Sequence, residues 1–231
     1  MARAGVASRR DAERMIEAGR VALNGALVSH PATMVGARDV LAVDGKSIAV
    51  AERTRIWRYH KPAGLVTTAR DPEGRPTVFA TLPKILPRVV SVGRLDINTE
   101  GLLLLTNDGG VARYLEHPEQ GLSRTYRIRA HGILNEAEFA RLAKGVIIDG
   151  IRYRPVRAII DSRRGTNCWL TMTLNEGKNR EIKILLEHLG LSVTRLIRIS
   201  YGPFELGKVA PGDVDEVASP RLASQLPGYF S

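Results

Sequence analysis

The chain has 231 residues, 44% of them hydrophobic and 25% charged, which is enough to bury a sizeable core and argues against wholesale disorder. Its 34 Lys and Arg against 24 Asp and Glu leave a net charge of +10, which attracts polyanions, either nucleic acid or an anionic membrane surface. No apolar run approaches the roughly 20 residues a membrane helix needs, and no signal-peptide core follows Met1, so nucleic acid and a cytoplasmic address are favoured.

The single cysteine, Cys168, rules out an intrachain disulfide, and the five histidines are scattered without metal-binding spacing. No metal site is expected. Neither a Gly-x-x-x-x-Gly-Lys-Ser/Thr loop nor a Gly-x-Gly-x-x-Gly is present, so nucleotide-driven or dinucleotide chemistry has no sequence support. An enzyme built on this chain works with side chains alone and no cofactor.

Residues 8–19 read as a short amphipathic helix. Ser8 and Asp11 resemble a capping box, Ala12, Met15 and Ile16 form the apolar stripe, and Gly19 is the stop. Arg9, Arg10 and Arg14 fall on the solvent side, where they serve either as a plain solvated face or as a phosphate-binding one. Val21 to Leu23, an Asn24-Gly25 turn and Leu27-Val28 make a hairpin, and another short strand runs from Val40 to Val43. A miniature module over residues 1–46 is expected. A polar linker then runs from Lys46 to Arg55, and a second domain spans 55–231. The first 50 residues carry a net +2 and the remainder +8.

In the second domain, Arg55 to His60 is a strand candidate, and Leu102 to Leu105 is an apolar run that looks buried on both sides. Thr125 to Ala130 alternates, with Tyr126, Ile128 and Ala130 on one face and Thr125, Arg127 and Arg129 on the other. Asn135 and Glu138 start a helix bearing Phe139 and Leu142. Leu170, Met172 and Leu174 mark a further strand, followed by a helix with the stripe Ile182, Leu185, Leu186 and Leu189. A last strand spans Val193 to Tyr201. The elements do not alternate regularly, so the expected fold is α+β with a mixed, mainly antiparallel sheet.

Asp96 lies in a loop entering the buried run at Leu102, where a carboxylate is held still and partly desolvated; a turn-capping role is the plainer reading. Tyr126 sits on the apolar face of its strand, as a core residue or as a stacking surface for a flipped base, with Arg124, Arg127 and Arg129 nearby to contact phosphates. Residues 176–183, EGKNREIK, open a helix whose N–H groups and cations suit phosphate, or else form a solvated helix start. Lys183, next to Ile182, points sideways along the core edge and can pair with a buried carboxylate.

Together these segments carry a resemblance. Residues 93–109, GRLDINTEGLLLLTNDG, followed by RTYRI at 124–128 and LNEGKNREIK at 174–183, resemble the three ordered motifs of the RNA pseudouridine synthases of the RsuA/RluB family. Residues 3–45, with ARAGVASRR, GRV and LNG, resemble the S4-type RNA-binding module that precedes the catalytic domain there. TRLIRISYG at 194–202 is closest to the RluB branch, which acts on large-subunit ribosomal RNA. The resemblance covers almost the whole chain.

It implies a cofactor-free isomerisation of uridine to pseudouridine in ribosomal RNA, 23S in the first place. Asp96 would be the essential carboxylate, either adding to the nucleotide or removing a sugar proton. Lys183 would pair with it, Tyr126 would lie against the base, and Arg94 would hold the nucleotide out of the stack. Arg9, Arg10, Arg14, Arg124, Lys178, Asn179 and Arg180 would contact RNA, with a monomer as the working form. The alternative from another class is a non-catalytic RNA-binding ribosome assembly factor. Two departures carry expectations of their own. The chain starts closer to ARAG than is usual, which implies a module clipped at its start; Lys183-Ile184 replaces two consecutive basic residues, which implies one phosphate contact fewer.

Overall fold

Ser8 accepts the main-chain N–H of Asp11 at 3.1 Å, so helix α1 (Arg9–Glu17) begins where the capping residues predict. This computed structural model describes residues 1–36 and 38–230. Four short strands follow α1: β1 (Val21–Leu23), β2 (Ala26–Leu27), β3 (Leu41–Val43) and β4 (Lys46–Ser47), in the order β2-β1-β3-β4. Asn24 and Gly25 both take positive φ at the first hairpin turn. Lys46–Ser47, expected to begin a linker, is instead the fourth strand. Asp44-Gly45, again both at positive φ, folds it back on β3. Its two residues are polar and exposed, as suits an edge, and so carry no apolar period.

The second unit opens with β5 (Ile56–Lys61), α2 (Val78–Thr81), β6 (Val90–Val92), β7 (Thr99–Thr106), α3 (Gly109–Glu116) and β8 (Arg124–His131). It continues through α4 (Glu136–Arg141), β9 (Val146–Ile148), β10 (Ile151–Tyr153), β11 (Arg157–Arg164) and β12 (Asn167–Leu174). The chain then forms α5 (Glu181–His188), β13 (Ser192–Tyr201), β14 (Phe204–Glu205), β15 (Val214–Glu216), α6 (Ser219–Gln225) and α7 (Pro227–Phe230). The large sheet runs β11-β12-β8-β13-β7-β5-β15, with β6 beside β7 and β14 beside β13. All its pairs are antiparallel except β7 with β13, so the fold is the expected α+β with a mixed, mainly antiparallel sheet.

The parallel seam depends on one glycine. Gly101 sits at φ +100°, and a Cβ there would stand 2.2 Å from the carbonyl oxygen of Arg198. Only glycine lets β7 and β13 come this close.

Leu102 to Leu105 are fully buried because both faces of β7 are covered. Leu103 and Leu105 pack with Trp57, Tyr59 and Leu95; Leu102 and Leu104 pack with Val111, Leu115 and Phe204. Towards the other end of the sheet, Ile128, Leu170 and Met172 meet Phe139 of α4 and Leu185 and Leu186 of α5. The reverse face of that end, bearing Arg127, Arg129 and Arg195, is exposed.

The two units meet at Asp108, a carboxylate only 3% exposed. Arg3 lies 3.1 Å from it, Thr54 donates at 2.6 Å, Tyr229 at 3.2 Å, and the N–H of Gly110 caps α3 through it at 2.9 Å. Among the described residues no helix is long and apolar enough to cross a membrane.

Candidate active site

The loop from Gly93 to Thr99 is fixed from four directions. The N–H of Gly93 donates to Glu116 at 2.7 Å, and Thr67 exchanges hydrogen bonds with both main-chain groups of Leu95 at 3.3 and 2.9 Å. The N–H of Gly64 donates to the carbonyl of Ile97 at 2.7 Å. Beneath the loop lies Lys61, with no solvent exposure at all. Its Nζ donates to the carbonyls of Pro62, Asp96, Ile97 and Thr99 at 2.9–3.2 Å. Burial pushes this ammonium down to about 8, opposed by the carboxylates of Asp96 and Glu100. Sequence reading missed Lys61, because a lysine at the end of a strand looks like a solvated terminus; the signal was its position directly before Pro62-Ala63-Gly64.

With its backbone held below, Asp96 turns its side chain into an open cleft of ≈ 760 Å³. Tyr126 and Lys183 line the same cleft. Lys183 Nζ stands 4.0 Å from the carboxylate, the limit of an ion pair. Its side chain is 20% exposed, running along the core edge as expected, whereas that of Asp96 is 42% exposed. The expected desolvation of Asp96 is therefore corrected: its loop ends at the cleft mouth and water reaches the carboxylate. Tyr126 is half-buried and packs against the two hydrophobic clusters on its side of the sheet, so its ring is clamped at the junction between them.

Arg94, exposed, and Arg124, half-buried, also line the cleft. Arg124 lies 4.8 Å over the Tyr201 ring and donates to the Leu122 carbonyl at 3.0 Å and to the Tyr201 hydroxyl at 3.2 Å, so its guanidinium is already oriented. Arg198 approaches the same ring at 5.0 Å. Only 3% exposed, it donates Nε to the carbonyl of Leu102 at 2.8 Å and leaves Nη2 without a partner beside the cleft. Nothing in its strand pattern marked it out.

The 176–183 segment departs from the expectation of three cations held ready at a helix start. Lys178 donates to Glu176 at 2.6 Å and to the carbonyl of Arg152 at 2.7 Å, and it lies 5.1 Å over the Tyr153 ring. Its charge is spent within the protein. Asn179 and Arg180 remain exposed at the cleft, and Arg180 adopts φ 52° just before α5. Glu181, solvated on the plainer of the two readings of this helix start, is 5% exposed. Burial, reinforced by hydrogen bonding to Glu176, pushes its carboxyl up to about 7. Ile184 packs against the hydrophobic cluster under α5, which explains an apolar residue there.

Arg127 and Arg129 do not reach this cleft. Alternation along β8 puts them on the face opposite Tyr126, which corrects the expectation that all three neighbouring arginines serve a base at that ring. Arg9, Arg10 and Arg14 lie on α1, away from the cleft lining; Arg9 pairs with Glu13 and Arg14 with Asp11, each at 3.3 Å.

A carboxylate, a tyrosine and an ammonium facing one open, cation-rimmed cleft suit an anionic substrate with an exposed base, and comparison with known proteins decides which. Residues 55–188 match the model of the RNA pseudouridylate synthase family, and residues 1–41 match the S4 domain. The chain belongs to the RNA pseudouridylate synthase family. As a member of that family it is an isomerase that converts uridine to pseudouridine in RNA. A Rickettsia conorii protein named as an uncharacterized RNA pseudouridine synthase is 46% identical over 217 residues, covering 93% of this chain and 92% of the relative. The ribosomal large subunit pseudouridine synthase B of Salmonella typhimurium is 42% identical over 223 residues, covering 91% of this chain and 75% of the relative. The fold is shared with a crystal structure of a pseudouridylate synthase at TM-score 0.69 and 24% identity, over 95% of this chain and 94% of that one.

Proposed function

We propose that this synthase isomerises a uridine of ribosomal RNA, in the large-subunit 23S RNA, working as a cytoplasmic monomer. The similarity over nine-tenths of the chain to a relative named for the large ribosomal subunit supports the substrate class. The net charge of +10 and the S4-type module supply the attraction to RNA that such a substrate needs.

Pseudouridine has the same atoms as uridine. The bond from N1 to the sugar breaks, the uracil turns, a bond forms from C5 to the same sugar carbon, and the C5 proton leaves as N1 gains one. The reaction needs a carboxylate and a proton path in a place where a base has been turned out of its stack, at a cost of about a few kcal/mol. The single observation that carries the assignment is the convergence of Asp96, Tyr126 and Lys183 on one cleft from three separate segments.

In this reading Asp96 starts the reaction at the sugar or the base. Lys183 keeps it ionised once the uracil has displaced water, when the low local dielectric strengthens their attraction. Tyr126 lies against the ring, and its hydroxyl receives or relays the C5 proton. Arg94, Arg124, Asn179 and Arg180 hold the phosphates flanking the flipped nucleotide, while the exposed arginines of α1 hold RNA farther along.

The test is Asp96→Asn. The variant should fold and bind RNA as the wild type does, while isomerisation, read by carbodiimide-adduct primer extension on ribosomal RNA, falls by at least about 10²–10⁴-fold. Retained activity would remove Asp96 from the mechanism.

A further inference from the structure

The face of the sheet turned away from the active-site cleft is covered by α3 and α6 where β5, β7 and the C-terminal part of β13 lie. Beyond β13 it is open. Trp169 of β12 stands opposite Arg129 of β8, which in turn stands opposite Arg195 of β13. Thr171 and Ile197 flank Arg127 in the same way. Arg157 and Arg164 of β11 stand opposite Thr173 and Asn167, on this same face. Four adjacent strands thus present five arginines to solvent on the side opposite Tyr126.

Two carboxylates share the face, and each already has a partner. Glu100 binds Arg195 through two bonds of 2.8 and 2.9 Å, and Asp161 accepts from Thr171 at 2.8 Å. Among the described residues, Arg127, Arg129, Arg157 and Arg164 have no carboxylate within ion-pair distance. At the centre, the Arg127 guanidinium lies 4.8 Å over the half-exposed ring of Trp169. That stack holds a planar cation and a planar aromatic group in place, side by side at the surface. The only large apolar side chain exposed among these positions is Ile159, at 43%. A protein partner would require a larger apolar centre than this. Phosphates and unstacked bases match what is there: cations for the backbone and a guanidinium plane, held on an aromatic ring, against which a base can stack.

We propose that this rear sheet face is a second RNA-binding surface, which takes a single-stranded or loop segment of the substrate at a distance from the modified uridine, with Arg127, Arg129 and Trp169 at its centre. The inference rests on the reading of the protein as an RNA-modifying enzyme, and it adds a surface that the cleft chemistry does not use. RNA that wraps the edge strand β11 would engage both faces of the sheet at once. A minimal stem-loop would fill the cleft and leave the rear face empty.

The experiment compares wild type with the double variant Arg127→Glu/Arg129→Glu on two RNAs, a short stem-loop holding the modified uridine and a long transcript carrying that stem-loop in its flanking sequence. The variant should isomerise the short RNA at the wild-type rate, which also shows that it folds. Its affinity for the long transcript should fall about tenfold or more, and the slope of log affinity against log salt should flatten by about 2. Unchanged affinity and slope for the long transcript would overturn the proposal. A second measurement needs no variant. Trp57 is buried, so acrylamide quenching of the native fluorescence reports Trp169. The long transcript should protect that signal and the short one should not; equal quenching with and without the long transcript would count against the surface. Failure of the wild type to isomerise either RNA would instead strike at the functional reading, separately from the binding comparison.

Discussion

The ammonium nitrogen of Lys61 lies 3.2 Å from the main-chain oxygen of Asp96, while the carboxylate of the same aspartate points the other way into the cleft. One buried cation thus sets the position of the reacting group without touching the substrate. Four carbonyls converge on it, and its removal would take a buried donor from each, leaving those of Ile97 and Asp96 only the N–H groups of Gly64 and Thr99.

Lys61→Met keeps the volume and removes the donors. Turnover should fall by about 10²-fold with a smaller change in KM, since a misplaced carboxylate costs rate more than binding. In the wild type, turnover should decline as pH rises through about 8, where the amine loses its charge. Single-turnover rates from pH 6 to 9.5 check both points, and an unaltered alkaline limb in the variant would assign that decline to another group.

Lys183→Met tests the ion pair. In the free protein the pair is long and wet, so melting temperature should hardly change. With substrate bound and water displaced, the attraction between the two groups strengthens, and loss of the ammonium leaves the covered Asp96 carboxylate without a counter-charge. Turnover near neutrality should therefore fall by about 10²-fold, with little change in RNA affinity. Turnover equal to that of the wild type would dismiss the pairing.

Glu181 gives a stability prediction with a definite sign. Its folded carboxyl is raised to about 7, above the ordinary glutamate value, so the folded chain keeps a proton that the unfolded chain releases. The contribution is complete at low pH, below the unfolded value, and is lost as pH climbs towards 7. Glu181→Gln, neutral throughout, should flatten the urea midpoint between pH 4.5 and 7 and leave the variant the more stable protein at pH 8. An identical pH dependence in both proteins would show that Glu181 is not the group responsible.

Gly101→Ala is expected to be severe. A methyl group at φ +100° and 2.2 Å from a carbonyl oxygen cannot be accommodated unless β7 and β13 part. A loss of about 3 kcal/mol or more, or roughly 10 °C in Tm, should appear in thermal melts. A change under about 2 °C would mean that the seam is looser than this geometry.

Where the sequence has a strong period or a two-residue turn, its reading matched the structure closely. The Leu102 run, the alternation around Tyr126 and the stripe of Ile182, Leu185 and Leu186 each fix which side faces inward. The hairpin of β9 and β10 was missed although Asp149 and Gly150, both at positive φ, supply a turn signal of the kind that revealed β1 and β2. Strand β11 was missed for a different reason: it is an edge with a register shift near Asp161, and its mostly exposed residues obey no clean alternation.

At the site, the groups that face the cleft were legible through their ordered segments. The groups beneath them were not. Lys61, Glu181 and Arg198 are charged residues in buried positions, and a single sequence offers no way to see that four carbonyls, a second carboxylate or a tyrosine ring awaits them. Lys178 shows the reverse error. Its charge suggested availability, but Glu176 two residues earlier takes it up.

Asp108 draws its partners from positions 3, 54, 110 and 229. Trimming the polypeptide from either side therefore strips a counter-ion or a hydroxyl from an anion that has almost no water around it. During synthesis the same carboxylate must wait, with Arg3 and Thr54 already made and Gly110 next in line, until Tyr229 leaves the ribosome.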